Sequence, residues 1–211
     1  MTKLQIQIVA GFVVVVMLLG IGAILLTQAQ DATPAPERMQ SEGCGSPCWH
    51  EQTAGATRQS FQTTLRSLGI TDIFDDGPRY CGRSEQIGIA CITEPTSDPT
   101  IPSESLVWAI PEAGTKPRLV DAIEAYGEPQ QAKICWNVNT WHAVLLFPNH
   151  TVLLALGGDL LDGEAMAYTP GQVVERVTFY TADTFPKNEW EGMPVWTGYG
   201  SPNENQTACK L

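Results

Sequence analysis

Six cysteines and three histidines are the residues of this 211-residue chain best suited to chemistry. Cys44, Cys48 and His50 fall within seven positions, a grouping that could ligate a metal, yet no second spacing-defined ligand pair accompanies them. Three residues separate Cys44 from Cys48, where a thioredoxin-like redox pair has two, so dithiol exchange is not expected either. His142 could join Asp159 or Asp162 and Ser105 in a hydrolytic triad. A triad is recognised by geometry in space, however, and nothing in the spacing selects these residues. Between Trp141 and Ala143 a structural histidine is the simpler reading. Asp75-Asp76 and the Asp159, Asp162 pair could attract calcium but lack its twelve-residue loop. No Gly-x-Ser-x-Gly elbow, His-Glu-x-x-His helix, phosphate loop or dinucleotide fingerprint is present. The expectation is a protein that is not an enzyme and holds neither metal nor cofactor.

Binding chemistry is better represented. The stretch FPKNEWEGMPVWTGYGSPNENQTAC sets Phe185, Trp190, Trp196 and Tyr199 among Pro, Gly and Asn. Aromatic faces in such loops stack on sugars or anchor a protein partner at little rotamer cost. Trp190, Trp196 and Tyr199 are therefore the candidate contact residues; the plainer reading makes them a lid on the open end of a sheet.

These residues need elements to position them. Leu119, Ala122, Ile123 and Tyr126 recur at i, i+3, i+4 and i+7, one apolar stripe of a short helix that Gly127 and Pro129 stop. Apolar runs over 143–147 and 151–156 flank Pro148-Asn149-His150 and read as a β-hairpin. Thr57 could cap a helix over 58–68, where Phe61, Thr64, Leu65 and Leu68 repeat the stripe and Gly69 takes the stop position. Phe61, Leu65, Leu68 and Gly69 align with Leu119, Ile123, Tyr126 and Gly127 at a constant offset of 58 residues. Further strands are expected over 70–74, 87–92, 106–110 and 173–180, with a turn at Asp75-Asp76-Gly77-Pro78 and a Pro-rich connector over 94–103. The predicted fold class is α+β: short helices packed on antiparallel sheet, in two tandem helix-plus-sheet units.

Composition bounds where the protein works. Residues 8–26 are nineteen positions without a charge, the length of a membrane-spanning helix. Lys3 precedes them and Asp31 and Glu37 follow, which keeps the N-terminus cytoplasmic and exports the rest. A retained single-pass anchor is expected; Thr27-Gln28-Ala29 loosely fits a cleavage site, and a cleaved signal would make the protein secreted. No Cys ends the apolar segment, which argues against a lipid anchor there. The predicted division is a membrane segment over 1–29, a Pro- and Ala-rich tether over 30–43, and an exported domain over 44–211 with possible subunits 44–103 and 104–211. Cys44, Cys48, Cys81, Cys91, Cys135 and Cys209 all lie in that domain, and an even number there points to disulfides whose pairing stays open. Residues 31–211 hold 11 basic and 23 acidic side chains, a formal charge of −12, which disfavours nucleic acid as a partner.

Residues 119–130, LVDAIEAYGEPQ, with strands following over 135–156, resemble the helix, Gly-x-Pro stop and hairpin of the small exported domains that include the bacterial outer-membrane assembly lipoprotein BamE and the tandem-repeat β-lactamase inhibitor protein. The opening CGSPCW at 44–49 looks like that of uncharacterised exported bacterial proteins with a Cys-x-x-Pro-Cys-Trp start. The likeness spans roughly residues 44–160. It implies helices on antiparallel sheet with a sheet surface or loops open to partner proteins, and no enzyme. The functional expectation is a membrane-tethered extracytoplasmic protein-interaction or scaffolding module of the bacterial cell envelope. The alternative is glycan or small envelope-ligand binding through Trp190, Trp196 and Tyr199.

Overall fold

The computed structural model describes residues 48–96, 98–111, 116–136, 139–159, 166–200 and 209–210, all within the compact unit Ala35–Leu211. The expected membrane segment over 8–26, the tether and Cys44 lie outside the described residues. Among the described residues no helix is long and apolar enough to cross a membrane.

The first helix, α1 (Arg58–Ser67), forms for local reasons. Thr57 is extended, and its hydroxyl accepts the amide of Ser60, which has no carbonyl partner inside the helix. Phe61 and Leu65 make its buried stripe, and Gly69, at φ 72°, ends it. Strands β1 (Asp72–Asp76), β2 (Arg79–Ser84), β3 (Gly88–Thr93) and β4 (Ser105–Ala109) follow as an antiparallel meander. Helix α2 (Leu119–Tyr126) begins with the Asp121 carboxylate accepting the Arg118 amide at 2.6 Å. It ends where the Gly127 amide donates to Ile123 at φ 83°. A second meander holds β5 (Gln131–Trp136), β6 (Thr140–Leu146), β7 (Thr151–Asp159) and β8 (Val174–Tyr180). One turn of helix, α3 (Lys187–Trp190), and a short β9 (Cys209–Lys210) complete the order.

The expected fold class is corrected by the strand pairing. Among the described residues the nine strands lie in one sheet ordered β1-β2-β3-β4-β8-β7-β6-β5-β9, antiparallel everywhere except the β5–β9 pair. Ser105 to Ala109 pair with β3 on one side and with β8 on the other, so backbone hydrogen bonding runs unbroken from edge to edge. The frame is a single, predominantly β structure, and helices of 10, 8 and 4 residues are minor attachments. Two separate helix-plus-sheet units do not form.

One sheet face carries the main core, in which Trp141, Ile92, Leu106, Leu145 and Leu153 are fully buried together with Phe61 and Leu65 of α1 and Leu119 of α2. Close approach is bought with glycine at two points. A Cβ on Gly82 of β2 would fall 2.6 Å from Leu65 Cδ2, and one on Gly157 of β7 would fall 2.1 Å from the Trp141 ring. The requirement at Gly82 also explains why the sequence pattern hides β2: its core-facing positions are Tyr80 and Gly82, so no apolar alternation survives.

The cysteines take the structural role. Cys81 and Cys91 face each other across β2 and β3 and are joined by a disulfide. Cys48 and Cys135 each take part in a further disulfide of their own, and the backbone of Cys209 pairs with that of Cys135.

Two outcomes follow. Gly157→Ala lowers stability by about 1–3 kcal/mol in urea unfolding because the Trp141 ring must move, whereas Gly171→Ala, whose Cβ meets nothing within 4 Å, stays within about 0.5 kcal/mol. Equal effects at both sites would remove the packing account. Replacing Cys81 and Cys91 together by Ser costs about 2–3 kcal/mol through the looser unfolded chain; an unchanged urea midpoint would contradict it.

Candidate functional site

The hairpins decide where side chains can meet. Turn residues Pro148, Asn149 and His150 close β6 on β7, with the Phe147 amide donating to Thr151 at 2.9 Å and the His150 amide donating to Phe147 at 3.1 Å. His150 holds φ 60°, a left-handed conformation unusual for a residue with a Cβ. Its ring lies 5.1 Å from that of Phe185.

Register places a continuous row across the second face of the sheet, opposite the main core. It runs from Phe74 through Cys81, Cys91, Val107, Thr178, Val152 and Leu146 to Gln131. This face is covered unequally. Over β5–β8 a small second core forms from Cys135, Val144, Leu146 and Trp190, with Phe185 and Met193 packed against it. Over β1–β4 the half-buried Phe74, Ile89 and Val107 join neither core. Arg83 stands beside them, ion-paired with Asp72 at 2.8 Å, its guanidinium 5.1 Å from the Phe74 ring.

The three candidate aromatic residues do not form one platform. Trp190 is 7% exposed, anchored in the second core, with Lys133 Nζ 5.0 Å from its ring centroid. Trp196 belongs to the other side, packed against the main core. Its indole donates to Glu128 Oε2 at 2.8 Å, and its ring meets those of Tyr168 at 5.0 Å and Tyr199 at 5.8 Å. Between them the chain crosses the β5 edge, where the Ala132 amide donates to Pro194 and the Trp196 amide to Gln130. Tyr199 and Val195 are exposed, at 43% and 72%.

The residues weighed for chemistry are engaged elsewhere. Ser105 donates its hydroxyl to Thr93 at 3.1 Å, and His142 Nε2 sits 3.1 Å from Glu175 Oε2, an acid that no spacing singled out. His142 Nδ1 is buried with no partner among the described residues. Cys48 is in a disulfide, which removes the thiolate a metal would need, and His50 rests edge-on against Trp49 at 4.9 Å. Burial holds the His50 imidazole below its ordinary pKa. Asp75 pairs with Arg58, whose guanidinium also approaches Glu94 at 3.5 Å and lies 4.1 Å from the Tyr80 ring centroid. Among the described residues no cluster of three or more His, Cys, Asp or Glu side chains could hold a metal ion.

Two cavities border Trp190. The larger, of about 540 Å³, opens between the β6–β7 turn and α3; its wall includes Gln130, Gln131, His150, Phe185, Asn188 and Glu191. The smaller, of about 230 Å³, lies over the second face between Lys133, Arg176, Tyr180 and Glu189. Apart from His150, none of the larger cavity's polar residues stood out in the sequence, because only the fold brings 130–131, 150 and 188–191 together.

Fold and surface define an antiparallel β-sheet domain whose second face, among the described residues, is covered over the β5–β8 half. No family model matches the chain, and comparison with curated proteins and with solved structures finds no match.

Three tyrosines have hydroxyls held above their ordinary pKa. Burial is the cause at Tyr126; at Tyr180 burial comes first, then the Glu189 charge, with Arg176 opposing; at Tyr199 burial comes first, then the Glu128 charge. A raised folded-state pKa contributes stability that is fully present below the unfolded tyrosine's value of about 10 and is lost as pH rises through the folded value. The urea midpoint is therefore expected to fall between pH 9 and 11.5, and Tyr126→Phe to flatten that fall. An identical decline in the variant would show that Tyr126 does not drive it.

Proposed function

We propose that this chain is a membrane-tethered, extracytoplasmic protein-interaction module of the bacterial cell envelope that docks a partner protein on the uncovered half of its sheet. The observation that supports this reading is the contrast across one face. Among the described residues Phe74, Ile89 and Val107 stay half-buried outside both cores, while the same face over β5–β8 is closed by the segment carrying Trp190. Apolar side chains on a flat surface braced by a cross-strand disulfide give a partner area to bury with little ordering cost.

Charge selects the kind of partner. The 11 basic and 23 acidic side chains of residues 31–211 would be duplicated in a second copy, so self-association meets like-charge repulsion. The edge strand β1 adds Asp72 and Asp76 on the same face as Phe74, beside the apolar row. The fitting partner is a different protein that presents basic residues around an apolar centre. The expected membrane segment over 1–29 and tether over 30–43 would hold this surface near the membrane, where a weak contact gains from high local concentration.

Photo-crosslinking of the full chain in its native membrane tests the reading. A photoreactive residue at Ile89 or Val107 is expected to give one discrete adduct with a basic protein, weakened at about 0.5 M salt, and none at Val120, which is exposed on α2. Adducts only between copies of the chain, or equal yield at position 120, would overturn it.

A further inference from the structure

We propose that the cavity between the β6–β7 turn and α3 binds a neutral, hydroxyl-rich ligand, a short oligosaccharide. Its volume of about 540 Å³ falls in the range of small-molecule sites. Chemistry of the wall decides the class. The side chains of Gln130 and Asn188 make no hydrogen bond among the described residues, and Gln131 uses only its Nε2, donated to Met193 at 3.3 Å. A carboxamide offers donors and an acceptor from one planar group, the pattern that adjacent sugar hydroxyls match, since each hydroxyl both gives and takes a hydrogen bond.

The apolar part of the wall is Leu146 with the aromatic Phe147, Phe185 and Trp190. Phe185 is half-buried there between His150 and Trp190, at centroid distances of 5.1 and 5.9 Å, and the carbon-bound hydrogens of a pyranose ring pack on such surfaces. Trp190 lines the same cavity and extends this aromatic surface beside Phe185. Lys187 and Glu191 balance each other's charge, so an ionised ligand finds no net attraction. This site replaces the Trp190, Trp196 and Tyr199 platform expected for a glycan. It is independent of the docking surface, because Phe74, Ile89 and Val107 do not line it.

The test is NMR of the full chain in detergent micelles, with chitotriose and cellotriose as neutral probes and inorganic phosphate as the anionic one. Saturable shifts are expected at the Gln130 and Asn188 side-chain amides and the Trp190 indole with at least one trisaccharide, and not with phosphate. Replacing Gln130 and Asn188 together by Ala should weaken that binding about tenfold or more while the thermal midpoint stays put. Gly171→Ala, which leaves the cavity intact, should retain wild-type affinity. No shift at these groups with either sugar at about 10 mM, or equal shifts with phosphate or glycerol, overturns the assignment.

Discussion

The pairing of β4 with β8 is the constraint on which the rest depends. Five residues, Ser105 to Ala109, meet Arg176 to Tyr180 across it, about seventy positions away in the chain. Without that ladder, two four-stranded meanders would each expose an unpaired edge in the middle of the molecule, with backbone groups left to water. With it, one sheet forms and only its outer edges need protection. At β5 the segment around Pro194 and Trp196 and the short β9 supply it, and at β1 the acidic residues make the edge unattractive to another strand.

A continuous sheet has two faces, and covering them unequally is what gives this molecule a surface to use. The main core takes one face across its full width, with α1 and α2 contributing apolar stripes. Opposite, α3 is too short to cover more than the β5–β8 half, where Trp190 supplies most of the lid. Aromatic burial of that size is worth roughly 2–3 kcal/mol, enough to hold a single helical turn in place. The 540 Å³ cavity beside Trp190 exists because the lid stops at Glu191 and the β6–β7 turn stands up next to it. Both proposed binding surfaces are thus consequences of one incomplete layer.

Side-chain pairing on the second face shows how far local reasoning reaches. The neighbours of His142 suggest a structural histidine, and it stands on β6. Its partner Glu175 is 33 positions away and is the extra residue of a bulge in β8, left unpaired between Arg176, opposite Leu154, and Val174, opposite Ala155. Trp190 stood out as an aromatic in a flexible-looking loop, yet it is nearly fully buried, because Val144 and Leu146 point their alternate side chains into the same space. Residue type identified Trp190 as important; burial against distant strands decided in what way.

The sequence by itself determined the elements whose forces are local. Thr57 and Gly69 bound α1, Gly127 ends α2, and Pro148 to His150 turn β6 into β7, since caps and turns link residues within four positions of one another. The pattern of apolar, β-prone runs marked β3, β4 and most of β7 and β8. It failed at β2, where Gly82 makes room for Leu65, and it could not show that the two meanders share one sheet. Strand partnership is a contest among edges that are chemically alike. Only the folded chain settles it, by the arrangement that satisfies the most backbone groups while burying the most apolar surface.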